Sequence, residues 1–483
     1  MMRDMKNDVF TKGYHQKSAT SIGRATVLSL FDRGMLLDSL GLACYIAWSF
    51  VFWNGSLLFG ELRSAAPMDG SQVVQGVLTA LTALLLALST RRGVPLRRRN
   101  VLLVIFAAIS SLSVMLAALV GFGQAPLPWM LFGFALSGVG STLRLGWEER
   151  LSVQGVHRTA RCAGAAYLFG FVVFVIVSLL PAVFALAVAV LLPFGAYVLL
   201  RIAVRSECER KVAETLPLKT QLAGIPWKLI AAIALAYFSY GATRMSGVTG
   251  GLVAAESIHG AIAGIPALAS LVAIVLAYWF YRKNALLAFY LAFPLMALAA
   301  LLPVALDPFA GGTTFWVALV GAELVKYLVW FLLIDSIIKD GISALLCVAL
   351  MRFAQWGGSC LGQVAADTLP SPEAVTISVL LSLMVALLVI MGLPLSGKMP
   401  VISTNGGELD LDKRVGLAAE RFKLSPREQE VLAIWATGHT GAYIEKTLFI
   451  SKNTVKTHLN HIYAKTNTAN REQLLELLEA IEG

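Results

Sequence analysis

Apolar and polar positions alternate along this chain on a scale of about twenty residues, not on the scale of a strand or a surface helix. Runs near 36–53, 71–90, 101–122, 127–146, 160–180 and 183–203 are followed by runs near 228–247, 258–280, 285–305, 314–336, 342–366 and 373–394. Each run is long enough, at 1.5 Å rise per residue, to cross the roughly 30 Å hydrocarbon layer of a bilayer as a helix. The pattern predicts about twelve transmembrane helices and an all-α fold class. Near residue 395 it stops, and shorter amphipathic periods follow.

Composition agrees with a membrane protein. Mean hydropathy is +0.74, and 57% of residues are hydrophobic against 14% charged, outside the range of soluble domains. The N-terminal 33 residues are polar and basic, and the run after them is full length with no small-residue cleavage site. That stretch reads as a cytoplasmic tail, not as a cleaved signal peptide.

Basic residues sort the loops. Arg91, Arg92, Arg97, Arg98 and Arg99, then Arg150 and Arg158, then Arg205, Arg210, Lys211 and Lys219, then Arg282 with Lys283, and Lys339 fall in every second loop. Of the intervening loops only the first has a basic residue, Arg63. The positive-inside rule then puts both termini in the cytoplasm and the chain in the plasma membrane. The net charge of +10 is explained by these loops and the tail, because basic and acidic residues balance from Asp410 onward. Net charge is therefore no argument for nucleic acid here.

Ionisable residues inside apolar spans are costly and are candidates for function. Glu323 and Lys326 lie three apart on one face in the middle of span ten. Arg352 lies inside span eleven with Gln355 below it, and Arg144 and Arg244 lie near the ends of spans four and seven. These five, Glu323, Lys326, Arg352, Arg144 and Arg244, are candidates to line a cavity for a polar or anionic ligand. The competing reading is internal ion pairing that serves folding alone. Asp38 and Asp335, at span ends, read as interfacial anchors. The cysteines, Cys44, Cys162, Cys208, Cys347 and Cys360, are scattered without a metal-ligand or redox spacing. No metal or other cofactor is expected. Gly260 with Gly264, and Gly358 with Gly362, have the spacing of close helix-packing seams.

The longest basic loop divides the spans six and six, which resembles the major facilitator superfamily, built from two parallel six-helix repeats. The loop after span two, "STRRGVPLRRRN", keeps arginines and Gly93 but lacks the acidic residue usual in that family. The resemblance implies the fold, and the departure weakens the case for active transport.

Four domains are expected: a tail at 1–34, the transmembrane part at 35–395, a linker at 396–423, and a terminal domain at 424–483. In the last, Ser425, Pro426 and Glu428 form a capping box ahead of Val431, Leu432 and Trp435. Gly438 ends that helix, Thr440 caps a second, Ser451 caps a third, and Asn470 opens a fourth. This is a helix-turn-helix arrangement. The segment "LSPREQEVLAIWATGHTGAYIEKTLFISKNTVKTHLNHIYAKTNTANR" resembles the LuxR-type DNA-binding domain. Its matching letters are Leu424, Pro426 to Glu428, Glu430 to Leu432, Gly438, Ile444, Leu448, Ser451, Thr454 to Lys456, His458, Ile462, Lys465 and Arg471. It departs at Glu445 and Thr466, where the family usually has Ala and Leu.

On the third helix Val455, Leu459 and Ile462 share an apolar face, leaving Asn453, Lys456, Thr457 and Asn460 outward with groups that can read base edges. The resemblance assigns base contact to the positions of Lys456, Thr457 and Asn460. Ser451, Lys452 and Thr454 at the helix start and Lys465 farther along are candidates for phosphate contact. His458 reads as a packing and hydrogen-bonding residue. The stripe Leu474, Leu477, Leu478 and Ile481 resembles the family's dimerisation helix, and a dimer would read an inverted repeat. The same stripe could instead pack within one monomer.

Together these features imply a bacterial, one-component regulator whose membrane part senses an unknown small molecule and whose end binds promoter DNA. The alternative is a major-facilitator-like transporter with a regulatory DNA-binding appendage. No hydrolase, metalloprotease, P-loop or Cys-His signature is present, so no enzymatic role is expected.

Overall fold

The computed structural model describes residues 33–54, 67–92, 94–126, 128–205, 218–249, 259–305, 311–391, 414–436, 441–448, 450–468 and 471–480. The contacts divide the chain into two units, Met1–Pro394 and Leu395–Gly483. All regular structure among the described residues is helical.

The first unit begins with α1 (Arg33–Asn54), α2 (Pro67–Leu88), α3 (Asn100–Gly121), α4 (Trp129–Gly140), α5 (Leu143–Ser152), α6 (Val156–Leu179) and α7 (Ala182–Arg205). A short α8 (Leu218–Gly224) leads to α9 (Trp227–Thr249), α10 (His259–Lys283), α11 (Ala285–Ala305), α12 (Gly311–Asp340), α13 (Ala344–Thr368) and α14 (Pro372–Met391). Helix covers all twelve expected spans. Among the described residues eight helices are long and apolar enough to cross a membrane, or nine if the bent pair α8 and α9 counts as one span.

Span four departs from expectation, because it breaks between α4 and α5 at Ser141 and Thr142. Both hydroxyls turn back to carbonyls three residues earlier, Ser141 to Gly138 and Thr142 to Val139. Such bonds compete with the helical ladder.

Helix pairing shows an internal repeat. In the first half α1 packs on α6 and α7, α3 on α4 and α7, and α2 on α4. Advancing each by six spans gives α9 on α13 and α14, α11 on α12 and α14, and α10 on α12, and all of these pairs are also found. The halves meet through α2 with α13 and through α6 with α10, two contacts that exchange under the same shift. The six-and-six division is therefore a structural repeat.

Glycine permits the closest crossings. A Cβ on Gly358 would sit 2.2 Å from the Ala234 carbonyl oxygen, and one on Gly362 2.0 Å from that of Phe238. The α13 to α9 seam is thus backbone against backbone. Gly260 and Gly264 lie on α10 where side chains are outside the described residues.

The second unit has its own core of Val415, Ala418, Val431, Leu432, Ile444, Val455, Ile462, Leu474 and Leu478. Its helices are α15 (residues 414–421), α16 (Pro426–Ala436), α17 (Gly441–Leu448), α18 (Lys452–Thr466) and α19 (Arg471–Ala480). The expected linker reaches through residues 414–421, yet these are helical and their Val415 and Ala418 fill the core. An apolar spacing of three is too short a pattern to stand out beside Lys413 and Arg414.

Candidate functional site

In the membrane unit the sequence candidates assemble around a residue that sequence reasoning missed. Glu148, on α5, is 1% exposed. Arg352 on α13 grips it with two nitrogens, Nε at 2.9 Å from Oε2 and Nη2 on Oε1, while its Nη1 donates to Gln355 at 2.6 Å. Arg144 donates from Nε to the same Oε1 at 2.8 Å and from Nη2 to the Tyr167 hydroxyl at 3.2 Å. One carboxylate thus serves two arginines, one from each half. Burial of such ions is tolerated only where paired and hydrogen-bonded.

Glu323 and Lys326 pair with each other on α12, and the carboxylate also accepts from Tyr237 at 3.0 Å and Ser270 at 2.9 Å. Lys326 lies 4.4 Å from the centre of the Tyr327 ring, which stands edge-to-face with Tyr167 at 6.1 Å between ring centres. Tyr167 therefore joins the two charge clusters. Of the five candidates, Arg144 and Arg352 converge directly and Glu323 and Lys326 form the neighbouring pair. The side chain of Arg244 lies outside the described residues.

Glu148 could have been found from its i,i+4 spacing to Arg144, a favourable helical pairing. It is hidden in "WEERLS", which reads as a charged loop. Its neighbours behave likewise: Glu149 accepts from the Arg97 backbone at 2.8 Å, and Arg150 reaches Asp38 at 2.7 Å. Asp38 is fully buried and also 3.4 Å from Arg158, so it is a structural anion and not an interfacial anchor. Asp335 accepts from Tyr281 at 2.7 Å. Two further bonds cross the halves: Trp330 Nε1 donates to Ser152 at 2.9 Å, and His157 meets the Tyr278 hydroxyl.

A cavity borders the cluster. Its volume is about 60 Å³, and Tyr45, Trp48, Gln75, Arg144, Arg352 and Trp356 are in its wall. Among the described residues no group of His, Cys, Asp or Glu could hold a metal ion. Cys162, Cys347 and Cys360 are buried and unbridged, and Cys44 is half-buried. Cys208 lies outside the described residues.

In the second unit the capping box forms as the sequence implies: the Ser425 N–H donates to Glu428 at 2.7 Å and the Glu428 N–H to Ser425 Oγ at 3.3 Å. Gly438, Thr440 and Asn470 lie outside the described residues. Ser451 caps α18 by accepting from the Thr454 N–H at 3.2 Å, and Asn467 ends it with φ of 53°. Val455 and Ile462 are buried, with Leu459 packed beside them. The opposite face leaves Ser451, Lys452, Asn453, Lys456, Thr457 and Asn460 exposed, with Thr454 half-buried.

Lys465 differs in setting. Its ammonium donates to Glu428 at 2.6 Å and to the Lys423 carbonyl at 3.2 Å, so its charge is largely committed within the domain. Burial alone would raise the Glu428 pKa. The bonds from Lys465 and Ser425 outweigh it and hold the carboxyl below its ordinary 4.5. His458 is half-buried and its Nδ1 has no hydrogen-bond partner. Leu474 and Leu478 are 1% and 2% exposed inside the monomer core, so half of the expected dimer stripe is consumed there. Leu477 stays half-buried, and Ile481 lies outside the described residues.

Comparison with known proteins fits both units. Residues 423–478 match the family described as bacterial regulatory proteins, luxR family. An HTH-type transcriptional regulator by name from Mycobacterium bovis is 43% identical over 53 residues, and one from Mycobacterium tuberculosis is equally so. That stretch is 11% of this chain, and it spans about 6% of the length of those relatives. The membrane unit resembles a bacterial homologue of the iron transporter ferroportin in its outward-facing state, with TM-score 0.54 and 14% identity over 76% of this chain and 98% of that one. It also resembles the human organic anion transporter MFSD10, with TM-score 0.54 and 13% identity over 74% of this chain and 99% of that one. Such identities speak to fold alone. The chain is a multi-pass membrane protein whose helical bundle has the fold of these solved structures, and the bundle is fused to a helix-turn-helix domain whose residues 423–478 match the luxR family.

Proposed function

We propose that this protein is a one-component transcriptional regulator that senses a small molecule in its membrane unit and binds promoter DNA with its C-terminal domain, both termini being cytoplasmic. The observation that carries this reading is the buried cluster of Arg144, Glu148 and Arg352, which ties one half of the bundle to the other beside a cavity. A ligand that alters this tie has different affinity for different packings of the halves, which is what a two-state sensor requires. At the DNA, Lys456, Thr457 and Asn460 read bases with Asn453 on the same face, while Ser451, Lys452 and Thr454 position the helix start on phosphates. Two copies bind an inverted repeat, and since Leu474 and Leu478 are occupied, pairing uses the remaining surface of α19.

Promoter occupancy of the tagged full-length chain, mapped in cells, tests the reading. Replacing Lys456, Thr457 and Asn460 together with Ala should abolish sequence-selective occupancy while leaving membrane levels unchanged. Unaltered peaks would remove the assigned reading face. The transporter fold keeps a second reading in play, a carrier with a regulatory appendage, and substrate flux in vesicles would favour it.

A further inference from the structure

We propose that the α6–α10 seam, at its end nearest the basic loops, binds the phosphate of an anionic phospholipid between Arg161 and Arg282, with an acyl chain in the groove beside them. The site lies apart from the Arg144 cavity, and its two arginines come one from each half of the bundle.

Helix register places the two arginines. His157 on α6 meets the Tyr278 hydroxyl on α10, and seven residues along each helix Gly164 faces Leu271, so the two run antiparallel. Arg161 is one turn beyond His157 and Arg282 one turn beyond Tyr278, which sets their backbones about 6 Å to either side of that contact. Both guanidiniums act electrostatically on His157 and on Tyr278, so both charges lie near the one contact. The two arginines are exposed, while His157 and Tyr278 are half-buried.

Charge sets the sign of the ligand. Helices α6 and α10 carry Arg158, Arg161, Arg282 and Lys283 and not one Asp or Glu. Arg158 reaches Asp38 of α1, and Asp335 of the neighbouring α12 accepts from Tyr281, so the seam keeps a positive balance. The inside rule gathers cations in loops, but Arg161 stands within the apolar run of α6, where a charge is costly. The fold itself does not call for it. At the α2–α13 crossing, which exchanges with this one in the repeat, α13 has no basic residue before Arg352, and that side chain turns inward to Glu148. Two guanidiniums near one point suit a phosphate, whose oxygens can accept from both.

The surface beside the arginines selects a lipid over a soluble anion. On α6 Arg161 heads an exposed apolar stripe of Leu168 and Val175, and on α10 Arg282 heads one of Val275 and Leu268. Between the helices Gly164 has no side chain, and a Cβ there would meet only Leu271, at 3.7 Å. A cationic head with an apolar groove running from it matches a phospholipid, and basic pockets between transmembrane helices are where such headgroups bind. A free phosphate would leave the groove unused.

The test uses the full-length chain in nanodiscs of phosphatidylcholine, alone or with increasing phosphatidylglycerol, read by melting curves and by native mass spectrometry of the released protein. The melting temperature should rise with phosphatidylglycerol and saturate, and the released chain should retain phosphatidylglycerol in preference to phosphatidylcholine. Arg161→Gln and Arg282→Gln should each weaken this by about fivefold, the worth of one arginine near an anionic lipid, and together by about thirtyfold. In phosphatidylcholine alone these variants should melt with the wild type, and Arg161→Lys with Arg282→Lys should keep most of the binding; should the double Gln variant fold poorly, the single ones carry the test. Arg98→Gln, in the turn between α2 and α3, should leave retention unchanged. Equal weakening by Arg98→Gln would make the effect one of general surface charge and overturn the proposal. Undiminished retention by the double Gln variant would overturn it too, as would equal stabilisation by glycerol 3-phosphate in phosphatidylcholine discs, the mark of a soluble-anion site.

Discussion

Glu428 holds three parts of the DNA-binding unit at once. It closes the capping box of α16, receives Lys465 from α18, and lies 3.6 Å from His461 Nδ1. Its carboxyl titrates below 4.5 in the folded domain and near that value when unfolded. The bound proton therefore favours the unfolded state, so the stabilisation is complete above pH 4.5 and is lost as pH falls through the folded value. Urea titration of the wild-type domain should show that acid loss. Glu428→Gln should be less stable at neutral pH by about 1–3 kcal/mol, with a flatter acid limb. The same contact separates two lysines that look alike in the sequence. Lys465→Ala should lower both stability and DNA affinity, whereas exposed Lys456 should affect DNA binding only, with a reduced salt slope as the readout. Letters alone could assign both to DNA, because the partner of Lys465 stands 37 residues away.

At the scale of elements, helices are legible because each is a long apolar run, and their contacts are not. Gly358 and Gly362 show the spacing of a seam, but only the fold reveals that the partner is the backbone of α9. Gly362→Ala would set a methyl 2.0 Å from a carbonyl oxygen that cannot turn aside. It should lower the thermal stability of the detergent-solubilised chain sharply, by an amount in the overpacking range of about 1–3 kcal/mol or more. Gly357, one residue before that seam, has nothing within 4 Å of where an alanine methyl would stand; Gly357→Ala should be neutral or slightly stabilising through helix propensity. The α19 stripe shows the opposite difficulty. Its leucines at i, i+3 and i+4 mark a buried face in any helix, and periodicity does not say whether the cover is a second copy or the same domain. With Leu474 in the monomer core, Leu474→Ala should destabilise the domain by about 2–5 kcal/mol before it tests any dimer.

Across the whole molecule, the sequence exposes the cost of the intramembrane charges but not their connectivity. Arg144 and Arg352 stand out as ions in apolar runs, yet the residue that joins them is 204 positions from Arg352 and reads as part of a loop. Counting charges distinguishes its removal from that of either partner. Glu148→Gln leaves two buried guanidiniums without an anion, and breaking a buried pair in this way costs about 3–5 kcal/mol. Arg352→Gln leaves Glu148 still paired with Arg144, both on α5. That variant should be the more stable of the two in nanodisc melting curves, although it removes the carboxylate–arginine tie between the halves. Stability and signalling would then part company. If the tie sets the balance between packings of the bundle, the Arg352→Gln protein should fold, insert and bind DNA, with promoter occupancy fixed at one level regardless of ligand. A normal ligand response in that variant would mean the cluster is only a strut, and that the signal travels through α2 and α13 or α6 and α10 by packing alone.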